Sequence, residues 1–493
     1  MAAETTARKV QTSLWLAGLL VAGLAAVRTV SVSGDQLAAR FDILYETPNL
    51  RTVELIRAGR NVYSPQVYAE PPFWITVYTP LYHHVVARLP ADPDNPYFTG
   101  RLVGLCCTLA AAACIALCGR ASPGAALLFM GAFFLVRPVT QNAALLKNDT
   151  LGLACSALAV LCAARAPQRR AWILPASLAA LLALSSKQSF LAAPLSCGAF
   201  LLLRERRAGL AFLTLTGLLA LLALGLARLA WGPGFFFSVA EALRNPLTWQ
   251  QFSEQWAAML RQPVFVGLLL LFGAGLSAQL WRERLAALRG SPLALYALAS
   301  LALLVATVGK LGSNTNYFIE PALAIAMWLA ASARAQRAGA WRSLARAAGA
   351  ALLAAAALLE VRLAEPPDYS VAGHPAKERF HAALEDLAGR MRAQGPPQPR
   401  VLNLAFAGLA WPLPGEILIS DPFLYFLLWE QGKLPRKPVA ELLRRREVDG
   451  VLAPVGLRPG PGPMPHPGIF QALFAGYRPV ARFPGFEYWA RGD

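Results

Sequence analysis

The feature that most constrains this chain is a series of apolar blocks, each about as long as a membrane is thick, separated by short basic turns. A helix rises 1.5 Å per residue and a hydrocarbon core is about 30 Å thick, so about 20 apolar residues cross it. Such blocks fall at 12–33, 100–119, 123–139, 149–164, 171–186, 189–203, 209–230, 263–280, 292–309, 317–333 and 343–362. No single water-soluble core hides that much apolar surface. Composition agrees: 15% of the 493 residues are charged and 56% hydrophobic, where soluble domains carry about 25% charged residues. A disordered chain and a disulfide-framed one are excluded on the same grounds. The expectation is an α-helical polytopic membrane protein of about eleven transmembrane helices.

The net charge of +18 would suit nucleic acid only if it clustered on a soluble face. The basic residues instead sit in short runs between apolar blocks, which argues against a nucleic-acid partner. The seven cysteines (Cys106, Cys107, Cys114, Cys118, Cys155, Cys162 and Cys197) all lie in or at the ends of those blocks, without zinc spacing. The first block has no convincing small-residue cleavage site and reads as a retained helix.

Orientation follows from loop charge. Segment 73–89, FWITVYTPLYHHVVARL, is ambiguous because it carries Pro80, His83, His84 and Arg88. If it does not span, Arg8 and Lys9 share one side with the loops holding Arg120, Arg165/Arg169/Arg170, Arg204/Arg206/Arg207, Arg282/Arg284/Arg289 and Arg334/Arg337/Arg342/Arg346. All strongly basic loops are then cytoplasmic, as the positive-inside rule requires. We therefore expect 73–89 to lie in the interface or to re-enter from outside. The N-terminus is then cytoplasmic and the C-terminal region extracytoplasmic, in a bacterial-type plasma membrane.

The outer face receives a long first loop (34–99), loops 140–148 and 231–262, turns at Lys187 and Lys310, and the tail. Within the first loop, TPNLRTVELIRAG places Leu50, Val53, Leu55 and Ile56 at helical spacing and reads as an amphipathic helix on the membrane surface. Loop 231–262 is aromatic (Trp231, Phe235, Phe236, Phe237, Trp249, Trp256), as an interfacial belt is and as a lid over a site would be. Residues 1–363 form the membrane domain. From 364 the charge is nearly balanced, 15 Lys and Arg against 13 Asp and Glu. Helix-like runs (376–394, 422–431, 437–446) alternate there with strand-like ones (401–406, 416–420, 449–453, 478–490), giving a small α/β domain over 364–493. The PGPGPMPHPG run (459–468) reads as a loop. No glycine-rich phosphate loop precedes a helix in this tail, which argues against nucleotide binding.

Ionisable groups at the membrane edge are costly and are functional candidates by default. The acids are Asp35, Asp42, Glu46, Glu54 and Glu70 after the first block, Asp149 in LLKNDTLG and Glu320 in NYFIEP. Taken singly, each is equally an ordinary solvated loop charge. Arg28, Arg137, Lys187, Arg228 and Lys310 lie near outer ends of blocks, against the positive-inside trend. Single residues of this kind snorkel to headgroups. Several on the face that holds the acidic loop suggest a bound anionic headgroup, with Arg137, Lys187, Lys310 and Arg228 as the donor-phosphate set. Tyr78, His83, His84, Asn316 and Glu320 are the candidate substrate-binding residues.

Taken in order, AGRNVYSPQVYAEPPFWITVYTPLY, LLKNDTLG, SSKQSFLAAPL and GSNTNYFIEP resemble the GT-C superfamily of membrane glycosyltransferases. The resemblance covers roughly 10–335 and is to its protein-mannosyltransferase-like and RgtA/B/C/D-like branch, glycosyltransferase family 39-like. The segment GEILISDPFLYFLLWEQGK looks like the extension some members carry. The resemblance implies a hexosyl- or pentosyltransferase that moves a sugar from a polyprenyl-phosphate donor to a lipid, glycan or protein acceptor at the outer face. It carries the first-loop catalytic acid to Asp42, with Glu46 second, and a further acidic position to Asp149; Lys187 and Asn316 match polar turns bordering the donor site. The family's adjacent Asp-Glu pair is absent, because FDILYE spreads its acids four apart, which on a helix would place both on one face. No metal-ligand set is evident, and a divalent cation stays open as a cofactor. The alternatives are a lipid-linked sugar transporter or flippase, against which the absence of an internal repeat counts, and a catalytically inactive homologue. The tail's role, as acceptor binder, partner binder or cover, stays open.

Overall fold

In a computed structural model the chain is described over residues 2–284, 286–333, 340–363, 375–394, 396, 398–405, 413–434, 438–455, 467–483 and 485–492. The first helix, Ala2–Ala38, has 37 residues and is about 55 Å long at 1.5 Å per residue. It is longer than a hydrocarbon core is thick, and near its end Gln36 Nε2 donates to the Gln141 carbonyl at 2.7 Å. Each expected block is helical over most of its length. Four helices are long and apolar enough to cross a membrane by length and composition (Val10–Ala38, Phe98–Cys118, Arg206–Trp231 and Pro263–Glu283), beside shorter apolar ones such as Ala192–Arg204 and Pro292–Thr307. Leu221, Leu229 and Val27 face outward from these helices, as lipid-facing positions do. The protein is an integral membrane protein.

Packing of the first helix on Pro123–Leu135 depends on small residues. A Cβ on Gly131 would stand 2.8 Å from the backbone of Ala22, and one on Gly18 would collide with the Gly124 carbonyl. Glycines let the two backbones touch, which is the main source of cohesion between helices in lipid. The block expected at 123–139 is interrupted: Val136 turns extended, and Pro138 opens a second short helix, Arg137–Asn142, where its missing N–H costs nothing.

Two first-loop expectations change, while 73–89, expected not to span, keeps its reading. Segment 73–89 yields only the seven-residue helix Leu81–Ala87, about 10 Å long and too short to cross. The amphipathic helix exists as Thr47–Arg57, but Leu50 and Val53 are buried against Tyr82, Val86, Tyr97 and Leu146 rather than in lipid. FDILYE is not helical; it is a run of bends ending at Thr47, and it sends its two acids to different places.

The tail forms a five-stranded sheet, β1 (Arg400–Asn403), β2 (Glu416–Ile417), β3 (Gly450–Pro454), β4 (Tyr477–Phe483) and β5 (Phe486–Arg491), in the order β2-β1-β3-β5-β4. β1 pairs parallel with β2 and β3, while β5 runs antiparallel to β3 and β4. The single strand region expected at 478–490 is a hairpin, turned at Gly485 with φ +83°, and the helix Pro467–Gly476 before it was not expected. The basic positions Arg334 and Arg337 and the run 459–466 lie outside the described residues.

The sheet does not stand apart from the first loop. Phe73 N donates to the Leu418 carbonyl at 2.7 Å, and Phe73 pairs in parallel with Ile419, extending the β2 edge. Phe73, Ile75 and Ala242 join Leu402, Leu418, Leu424 and Phe426 in one apolar core.

A candidate active site between the helix ends and the tail

The helix ends that face the tail, the first loop and the tail itself enclose a cavity of about 1280 Å³, above the usual range for small-molecule sites of about 300–1,000 Å³. Leu153, Leu303, Leu304 and Ile319 line its membrane side.

Its floor is built by two helix ends tied to each other. Asn148 Nδ2 donates to the Ser186 carbonyl (3.1 Å) and Ser186 Oγ donates to the Asn148 carbonyl (2.8 Å). That exchange brings Asp149, in the first turn of Asn148–Arg165, against Lys187, the residue closing Ile173–Ser186. Lys187 Nζ lies 2.7 Å from Asp149 Oδ1, with side chains 7% and 14% exposed. Asn316 Nδ2 donates to the same oxygen at 3.2 Å. The Lys187 ammonium also lies 5.2 Å and 5.4 Å from the ring centres of Tyr78 and Tyr317. Burial pulls its pKa down, but the Asp149 charge and both tyrosines outweigh that and hold it above the ordinary lysine range. Lys147 is drawn the other way, its pKa lowered chiefly by burial; its Nζ donates to Asn142 Oδ1 at 3.2 Å. Next to Lys187, Gln188 Nε2 donates to the carbonyls of Val77 and Val239, both at 2.8 Å, joining the turn to the first loop and to the aromatic loop.

Seven of the twelve expected site residues line the cavity: Tyr78, His83, Asp149, Lys187, Lys310, Asn316 and Glu320. His83 Nε2 meets Asn49 Oδ1 at 3.0 Å, and burial lowers its pKa to about 3, which keeps it neutral at ordinary pH. Tyr296 OH donates to Glu320 Oε1 at 3.1 Å.

The other five lie elsewhere. Arg228 is exposed on the helix Arg206–Trp231. Arg137 Nη2 lies 3.4 Å from Glu360 Oε1 on the helix Ala340–Leu363, and neither arginine of the expected phosphate set lines the cavity. His84 packs on Trp231. Glu46 is fully buried. Arg101 Nε donates to its Oε1 (2.9 Å), and Arg101 Nη2 to its Oε2 (2.5 Å). The Leu146 and Ile43 N–H groups also donate to it, at 2.8 Å and 3.1 Å. Its oxygens are thus used in fixing the loop. Asp42 stands just behind the wall. Its Oδ2 accepts from the Glu46 and Thr47 N–H groups (2.9 and 2.7 Å), capping the helix Thr47–Arg57. Burial raises its pKa, helped by the Glu46 charge.

Sequence reasoning missed Lys147, Asp421, Gln431 and Lys433, which also line the cavity. Lys147 stood two residues from Asp149 in a motif already singled out. The other three belong to the tail and bracket the helix Pro422–Glu430; no local signal ties them to a membrane site. Asp421 caps that helix, its Oδ1 accepting from Leu424 N at 3.0 Å. Burial, then the Asp42 charge, raises its pKa to about 6. Tyr45, also on the wall, feels both Asp421 and Asp42.

No family profile matches the chain, and no curated protein matches it. Solved structures do. The chain resembles ArnT from Cupriavidus metallidurans bound to undecaprenyl phosphate (16% identity, 96% of this chain and 97% of that one, TM-score 0.62) and the same protein in its apo state (16%, 96% and 97%, TM-score 0.61). It also resembles the Archaeoglobus fulgidus oligosaccharyltransferase in complex with Zn and sulfate (13% identity, 89% of this chain and 68% of that one, TM-score 0.50). The chain therefore shares the overall fold of these structures over most of its length.

Proposed function

We propose that the protein transfers a hexose or pentose from a polyprenyl-phosphate donor to a lipid, glycan or protein acceptor at the outer face of the membrane, with inversion at the sugar carbon. The observation that carries this reading is the cavity floor: Lys187 and Lys147 line a largely apolar chamber, with Leu153, Leu303, Leu304 and Ile319 along one side. A lipid phosphate arriving from the bilayer meets those ammonium groups first. The shared fold supports the donor class, since ArnT was solved with undecaprenyl phosphate.

In this reading the acceptor oxygen attacks the anomeric carbon as the bond to the carrier phosphate breaks. The electron pair leaves with the phosphate, and the acceptor proton passes to a carboxylate. Lys187 and Lys147 stabilise the phosphate as its charge grows, a contribution worth about 10²–10³ in rate for a well-placed donor. Asp149 keeps Lys187 charged and aimed. Asp42 is the proposed base by the resemblance alone: it stands behind the cavity wall, held in one orientation by its two backbone donors, and Glu46 positions the loop that bears it. The phosphate charge is assigned to Lys187 and Lys147 because both line the cavity floor. The proposed topology has eleven crossings, a cytoplasmic N-terminus and an outer tail.

The test is sugar transfer from synthetic polyprenyl-phosphate hexoses and pentoses by purified protein in lipid vesicles. Wild type is run beside Asp42→Asn, and donor binding is measured separately. General base removal predicts a loss of about 10²–10⁴ with donor binding intact. Turnover surviving the mutation would move the base to Asp149 or Asp421. Carrier binding with no turnover for any donor would favour a transporter or an inactive homologue.

A further inference from the structure

The helix Pro422–Glu430 lies over the cavity, and the residues at both its ends, Asp421 with Phe423 and Gln431 with Lys433, line it. We propose that this helix is the acceptor-reading wall, selecting an uncharged, hydroxyl-rich glycosyl group through Gln431, Asp421 and Phe423. The inference rests on the transferase reading and adds the substrate class that the tail recognises.

The chemistry of the wall separates it from the floor. Lys433, its cation, is engaged within the protein: its Nζ donates to the Glu241 carbonyl at 2.7 Å and to the Arg244 carbonyl at 3.5 Å. That latch fixes the tail to the 241–244 segment and leaves the wall without an ammonium directed at a phosphate. What remains is an amide, a carboxylate and an aromatic ring. Both polar atoms of the Gln431 amide are buried without a hydrogen-bond partner among the described residues. A buried amide left unsatisfied is costly, so such a group in a cavity wall points to a ligand or water that completes it. An amide offers two donors and an acceptor, and a carboxylate accepts twice, which matches neighbouring sugar hydroxyls. The carboxylate at the same time repels an anionic headgroup. Phe423 packs beside Gly312, whose added Cβ would stand 3.0 Å from the ring, and gives the apolar face on which a sugar's C–H side rests. The wall is also near the floor, since the Asp421 charge is felt at Tyr78, the ring against Lys187.

The experiment uses the full chain in vesicles with a polyprenyl-phosphate hexose and hexyl glucoside, hexyl mannoside, hexyl phosphate or a Ser/Thr peptide as acceptor. Expected is transfer to a hexyl glycoside. Gln431→Leu and Phe423→Leu should each raise the KM for that glycoside at least tenfold while the donor KM moves less than twofold. A donor KM that moves instead, or transfer only to hexyl phosphate or peptide, overturns the assignment. A second measurement is independent of turnover: the rate of maleimide labelling at position 431 in Gln431→Cys, read by peptide mass spectrometry. Hexyl glycosides should slow it and undecaprenyl phosphate should not. If wild type shows no transfer at all, the transferase reading fails, and this labelling alone decides whether the wall binds glycosides. Labelling unaffected by hexyl glycosides, or slowed only by the carrier, overturns the inference.

Discussion

Two cation–carboxylate pairs sit at helix ends of the bundle, and they differ in what surrounds them. Arg101–Glu46 is sealed, with both side chains 0% exposed. Arg101 also donates to the carbonyls of Gln36, Ala39 and Phe41 and stacks 4.7 Å from the Tyr97 ring centre. Lys187–Asp149 is also mostly buried, yet it opens on a cavity lined by polar atoms without partners, among them Asn148 Oδ1, Asn316 Oδ1 and Gln188 Oε1. A pair whose every donor and acceptor is used holds architecture. A pair flanked by unfilled ones is arranged for something that arrives later.

That contrast can be broken by mutation, beginning where the largest change is expected. Arg101→Ala leaves the Glu46 charge buried and unpaired, and removing one partner of such a pair costs about 3–5 kcal/mol. Thermal unfolding in detergent should show a large fall in Tm and a poor yield of folded protein. An unchanged Tm would show that the loop does not depend on the pair.

Lys187→Ala should behave differently. Transfer should fall by about 10²–10³, the effect of losing one preorganised charge-stabilising donor, with a smaller Tm loss than Arg101→Ala because the cavity admits water to Asp149. Equal Tm losses for the two variants would erase the distinction.

Asp421 sharpens the comparison through pH. Its folded pKa of about 6 lies above the unfolded value of about 3.9, so the folded state holds this proton more tightly. The stabilisation from it is fully present below about pH 4 and is lost as pH rises through about 6. Asp421→Asn keeps a capping oxygen and should flatten the Tm-versus-pH curve between those values. A slope identical to wild type would remove Asp421 from the titrating groups of the wall. The smallest effect is expected at Arg228. It is exposed and outside the cavity, so Arg228→Ala should leave transfer within about twofold, as exposed substitutions away from a site usually do.

The segments of the site that sequence reached and those it missed differ in kind. LLKNDTLG, SSKQSFLAAPL and GSNTNYFIEP were recognisable because each puts a polar turn at the end of an apolar block, a local pattern that the cost of charge near lipid makes conspicuous. Asp149 and Lys187 followed from that pattern, and Asn316 from the resemblance. Arg137 and Arg228 satisfied the same rule and still miss the cavity, because block ends encircle the whole bundle and the rule gives depth without azimuth. FDILYE shows the complementary limit. Four-residue spacing suggested one helical face, but Arg101, 55 residues away, draws Glu46 into the core and leaves Asp42 as a helix cap.

By itself the sequence determined that this chain lives in a membrane and where its helices run. Those are consequences of transfer free energy, which each residue contributes locally. Only the tertiary structure decided which charges share a cavity and that the tail belongs to it. The Phe73–Ile419 pairing and the shared core beneath it join segments more than 300 residues apart. Contacts of that range depend on how whole elements pack, and no spacing along the chain encodes them.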